Sequence, residues 1–169
     1  MNSEPWLRSW LLHVAPKLAS KGYVRFDPEV YERLGIKYAA RRTRSGPLGL
    51  GTIDDFFIFA ETDNLDAAKL GNFATYSFHF ADSNTSFPRG RHNQLLCYSI
   101  AVTENLDPQL ALQIQGTSPP IRRNALQMSA AFDLSTGQLA YFQGTSLWGL
   151  WYCDEMRQEI ETNLRSRLP

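Results

Sequence analysis

Residues 126–143, LQMSAAFDLSTGQLAYFQ, carry the pattern that decides how the chain is read. Leu126, Met128, Ala130, Phe132 and Leu134 are apolar at every second position, the period of a strand with one buried face. Gln127, Ser129 and Asp133 point the other way. Ser135, Thr136 and Gly137 have turn chemistry, and a second run at 139–143 returns along the first. With a three-residue loop and Gly137 in the left-handed conformation, Leu134 faces Gln138, Phe132 faces Ala140 and Ala130 faces Phe142. A side chain at Gly137 would be strained in that turn. Beyond 144–149, residues 151–168 read as a helix with Tyr152, Met156, Ile160, Leu164 and Leu168 four apart. Asp154 and Glu155 near its start and Arg165 and Arg167 near its end suit the helix dipole.

Upstream of this hairpin and helix, Phe56, Phe57, Ile58 and Phe59 form an unbroken apolar run within 52–60. Such a run marks a strand covered on both faces and therefore the centre of a sheet. Further strands are expected at 36–44 and 95–103. A first helix is capped by Ser3 with Pro5 just inside, carries Trp6, Trp10 and Val14 on one stripe, and should kink or end at Pro16. Asp27 and Pro28 open a second helix that Gly35 closes, Asn64 or Asp66 caps a third over 66–79, and Asp107 and Pro108 begin a fourth over 106–114. The expected architecture is one α+β domain: a mainly antiparallel sheet of about five strands, amphipathic helices at both termini and two or three helices between.

The totals fit that picture. A chain of 169 residues, 43% hydrophobic and 20% charged, is large enough to bury a core without staples. Seventeen basic and seventeen acidic side chains cancel, so no global field draws the molecule onto nucleic acid or an anionic membrane. Cys97 and Cys153 allow at most one bridge, which argues against a disulfide scaffold and for a reduced, cytoplasmic setting. No secretory leader is evident, and no stretch approaches the roughly 20 apolar residues that span a bilayer.

Candidate chemistry concentrates in loops. Arg41, Arg42 and Arg44, then Arg89 and Arg91, then Arg122 and Arg123 all fall at or beside expected loops, with His92 and Tyr38 near them in sequence. If those loops meet at one end of the sheet, they present forked donors to an anionic small molecule, peptide or nucleic acid. Asp54, Asp55, Glu61 and Asp82 are close enough in the chain to neutralise them. The segment 86–94, SFPRGRHNQ, gathers polar side chains on a connector, where binding usually resides. The leading expectation is a binding or regulatory module.

The alternative is a metal-dependent hydrolase. Asp54, Asp55, Glu61 and Asp63 lie on or just past the central strand, and carboxylates at a strand end can hold a divalent metal for phosphodiester cleavage. The arrangement resembles the nuclease pattern of an acid followed by Glu, one residue and Lys, with Asp63 standing where that pattern has Lys. Gly46, Gly49 and Gly51 do not reproduce a dinucleotide or phosphate loop, and no cofactor is expected. His13, His79, His92 and the two cysteines lack zinc-site spacing. A third expectation is a subunit of a homo- or hetero-oligomer joined through Trp148 or Trp151, since aromatic anchors favour interfaces.

Overall fold

The apolar run at residues 56–60 is the middle of strand β3 (Thr52–Glu61), which lies inside a six-stranded sheet in the computed structural model. The structure describes residues 4–90, 92–120, 122–145 and 150–165, without the side chains of residues 4–6, 150 and 151. Before β3 come α1 (Glu4–Ser20), β1 (Val24–Arg25), α2 (Pro28–Tyr31), which runs into a 3₁₀ turn (Glu32–Leu34), and β2 (Tyr38–Ser45). After it come α3 (Ala67–Ser83), β4 (Asn93–Thr103), α4 (Pro108–Gly116), β5 (Ala125–Asp133), β6 (Leu139–Tyr141) and α5 (Leu150–Leu164).

The strands lie in chain order, β1 to β6. The expected mainly antiparallel, five-stranded sheet is therefore corrected to a mixed six-stranded one. β1, β2 and β3 form an antiparallel meander and β5 pairs β6 antiparallel, but β3, β4 and β5 run parallel. The cause is the pair of crossovers. Helices α3 and α4 each carry the chain back before the next strand begins, and strands separated by helices pair in parallel.

Two cores follow from strand alternation. On one face, Phe57 and Phe59 of β3, Tyr98 and Ile100 of β4 and Phe132 of β5 pack against Trp10 and Val14 of α1 and Met156 and Ile160 of α5. Trp10 stacks on Phe132 with ring centroids 4.8 Å apart and meets Phe59 edge-on at 5.4 Å. On the other face, Phe56 and Ile58 pack with Phe73 and Phe78 of α3 and Leu110 and Ile114 of α4. Asp27, Asp66 and Asp107 cap α2, α3 and α4 by accepting from the amides of Glu29, Lys69 and Gln109.

Three local expectations are revised. Pro16 does not end α1, which continues to Ser20 with Pro16 on the exposed side. Strand β5 is buried on both faces, because it sits between β4 and β6 beneath α4; Gln127 and Asp133 are buried with its apolar residues. The hairpin register is one residue from the expected one: Phe132 pairs with Leu139, Ala131 with Ala140 and Ala130 with Tyr141. Asp133 is the reason. Its carboxylate accepts from the amides of Ser135 and Thr136, and its own amide meets the carbonyl of Gln138, so the loop has four residues, 134–137, with Gly137 at φ 70°. Leu168 of the closing stripe lies outside the described residues.

Candidate functional site

Because β2 runs against β3 while β4 and β5 run with it, loops 46–51, 84–92 and 117–124 all emerge at the amino end of the parallel strands. Backbone contacts tie them together. The amide of Thr52 donates to the His92 carbonyl, the amide of Leu95 to the Asn124 carbonyl, and the Asn124 side chain to the Gly90 carbonyl at 2.6 Å. A Cβ at Gly51 would fall 1.6 Å from the His92 carbonyl oxygen, so the close approach of two of these loops requires glycine there.

The sheet divides the arginines that converge on this end. Arg42 and Arg44 leave β2 on the α1/α5 face, and Arg41 leaves on the α3/α4 face. Arg42 donates to Asp55 at 2.6 and 2.9 Å and reaches Glu159 at 3.4 Å, with its guanidinium 4.5 Å over the Tyr23 ring. Arg44 donates to the same Asp55 at 2.7 Å and pairs with Glu155. Burial disfavours the charged form of both arginines, yet Asp55 outweighs it and holds both above the usual guanidinium range. Asp55 itself is wholly buried.

On the opposite face the cations are also committed. Arg41 donates to the Asn84 carbonyl at 2.7 Å, and Arg89 binds both oxygens of Asp82, at 2.5 and 3.0 Å, and the Arg123 carbonyl at 2.8 Å. Arg89 and Arg122 both lie over the ring of Phe78, at 5.5 and 3.9 Å. Asp54, next to Asp55 but facing this side, meets no cation among the described residues: it accepts from the Thr43 hydroxyl and from the amide and hydroxyl of Ser86. Deeper in, Gln127 bridges the Ala74 carbonyl and Ser99, which in turn touches Ser77. Burial pushes the Cys97 thiol up to about 12, which makes it a poor nucleophile at neutral pH.

What the loop end leaves for the outside is different in kind. Arg123 and His92 are exposed, and no side-chain hydrogen bond engages them among the described residues. Arg91 belongs to the same loop and lies outside the described residues. The same loop end carries Leu48, 96% exposed in a left-handed turn at φ 57°, Leu50 and Phe87, all large apolar side chains in water. Sequence reading missed these three; two leucines set between glycines in a loop were the available signal.

The four acids of the metal reading are not brought together. Asp54 and Asp55 point to opposite faces near the start of β3, and Glu61 ends the same strand about 20 Å away at roughly 3.3 Å per residue. Asp63 lies beyond Glu61 in an exposed turn, and among the described residues no three His, Cys, Asp or Glu side chains gather closely enough for a metal ion. Trp148 and the Trp151 side chain, the proposed oligomer anchors, lie outside the described residues. No described helix is long and apolar enough to cross a membrane. Neither a known family, nor a curated protein, nor a solved structure matches this chain.

Proposed function

We propose that this protein is a binding module whose loop end, 46–51, 84–92 and 117–124, recognises a peptide segment carrying acidic and apolar side chains. The observation that supports the reading is that exposed Leu48, Leu50 and Phe87 and exposed Arg123 and His92 all lie on three loops that emerge at one end of the sheet and are tied together by backbone bonds. Exposed aromatic and aliphatic side chains together with an uncommitted guanidinium are the make-up of a recognition surface. A peptide fits better than nucleic acid. Affinity for a polyanionic backbone grows with the number of phosphates neutralised, and here Arg42, Arg44 and Arg89 already hold carboxylates of the protein itself.

The test uses two immobilised polymers, poly-glutamate and a glutamate–tyrosine copolymer. The protein is expected to be retained on both and longer on the copolymer. Arg123→Glu should abolish retention on both, whereas Leu48→Ser with Phe87→Ser should abolish only the preference for the copolymer. Equal retention of all variants overturns the reading, as does binding to single-stranded DNA without binding to the copolymer. A concentration-dependent dimer lost in Leu48→Ser would instead assign the surface to a second copy of the chain.

A further inference from the structure

The loop surface leaves unexplained a cluster of charged groups on the α1/α5 face, where the start of the sheet meets helix α5. We propose that Arg42, Arg44, Lys21, Tyr23 and Tyr98 form a latent site for a divalent oxyanion of the phosphate type, filled in the free protein by its own Glu155 and Glu159. This inference stands on a different face from the loop surface and does not depend on it.

Charge is the first support. Each guanidinium holds the buried carboxylate of Asp55 from the neighbouring strand and a second carboxylate from α5: Glu159 for Arg42 and Glu155 for Arg44. Lys21 adds a third cation, 3.3 Å from Glu159. Three cations less the one carboxylate of Asp55 leave two positive charges, and α5 supplies the two negative ones. A dianion would replace them charge for charge.

The tyrosines are the second and independent support. Tyr98 is wholly buried and Tyr23 is 4% exposed, yet neither hydroxyl has a hydrogen-bond partner among the described residues. Buried hydroxyls are normally paired, so two orphans beside one charged cluster mark missing acceptors. They belong to this cluster: Arg42 covers the Tyr23 ring, Phe57 stacks on Tyr98 at 4.2 Å and meets Tyr23 edge-on at 5.3 Å, and burial, then Asp55, pushes both phenols up, so both remain donors. The glutamates are turned to the cations instead: Glu159 accepts from Arg42 with one oxygen and from Lys21 and Asn163 with the other, and Glu155 holds Arg44. A tetrahedral oxyanion has oxygens enough for the cations and both hydroxyls.

Access is the third. A hollow of about 210 Å³, lined by Lys21, Glu155, Gln158, Glu159 and Thr162, opens beside the glutamates. Lys21, Arg44 and Glu155 are the more exposed members, so exchange would begin at that edge.

The experiment titrates the full chain with inorganic phosphate at pH 7.5 by calorimetry and by melting temperature. Glu155→Gln with Glu159→Gln should bind phosphate saturably at about tenfold lower concentration than the unaltered chain, because two repelling charges are gone. Should that pair fail to fold, Glu155→Gln alone, which leaves Arg44 its bond to Asp55, should give a smaller gain in the same direction. Adding Arg44→Ala should remove the gain. Parallel titration with glycerol 2-phosphate tells a free anion from a phosphomonoester, the tighter ligand naming the source. No gain in either glutamine variant, or a gain that survives Arg44→Ala, overturns the proposal.

Discussion

Asp54 and Asp55 follow one another along β3, leave it on opposite faces, and are both buried, but they are solvated by different chemistry. Asp54 is held by neutral donors: a threonine hydroxyl, a serine hydroxyl and a backbone amide. Asp55 is held by two guanidinium groups and shares them with glutamates from α5. The pattern extends across each face. On the α3/α4 side, Ser77, Ser99, Gln127 and Asp133 join hydrogen-bonded groups that need no counter-charge, whereas the α1/α5 side concentrates ionised groups where α5 meets the sheet. Neutral donors fix a loop by geometry; paired ions must also offset the cost of taking each charge out of water.

The largest expected effect breaks the ionic face. Asp55→Ala leaves two partly buried guanidiniums without their main partner, and removing one member of a buried pair typically costs about 3–5 kcal/mol. Urea unfolding followed by circular dichroism measures it. Asp54→Ala should cost less, about 1–3 kcal/mol, because it strands an amide and two hydroxyls but no ion. Equal losses at the two positions would mean that the faces do not differ in the way described.

Much of this contrast was readable from alternation alone. A period of two sends Arg41 away from Arg42 and Arg44, and Asp54 away from Asp55, so these neighbours in sequence serve opposite faces of the sheet. The apolar run 56–59 gave the centre of the sheet, and aspartates before Pro28 and Pro108 gave two helix starts. The convergence of the three loops was not readable without the parallel pairing of β3, β4 and β5, which depends on α3 and α4 packing on one face. The hairpin register escaped because a side chain, Asp133, sets the loop length. Partners distant in sequence, such as Glu155 for Arg44, have no local sign at all.

A pH series sharpens the comparison with a smaller signal of opposite sign on each face. Burial works to raise the Asp133 pKa, but bonds from the Leu106 amide, the Ser135 hydroxyl and the neighbouring amides prevail and hold it below the usual carboxylate range. Its contribution is therefore complete above the unfolded value of about 4 and is lost as pH falls through the lower folded value. Asp133→Asn should be less stable than the unaltered chain at pH 7, with the gap narrowing below about pH 4. For Glu155, burial raises the pKa, and Arg44 only partly opposes it. The folded state then binds the proton first, so Glu155 favours folding as pH falls through its raised value, and Glu155→Gln should flatten that rise.

The smallest expected effect on stability is at the loop end. Arg123→Ala and Leu48→Ser alter side chains that stand in water without a described partner, and substitutions of that kind usually stay within about 0.5 kcal/mol. Leu48 occupies a left-handed turn, where serine is no worse accommodated than leucine, so the backbone gives no reason for a larger change. Melting temperatures within a degree or two of the unaltered chain are expected for both. Arg89→Ala is the informative contrast at the same end. It removes an ion pair with Asp82, a bond to the Arg123 carbonyl and the cover on Phe78, so it should lower the melting temperature where Arg123→Ala does not. If both arginines proved equally dispensable, the division between arginines that build the loop end and arginines left to meet a ligand would have no physical basis.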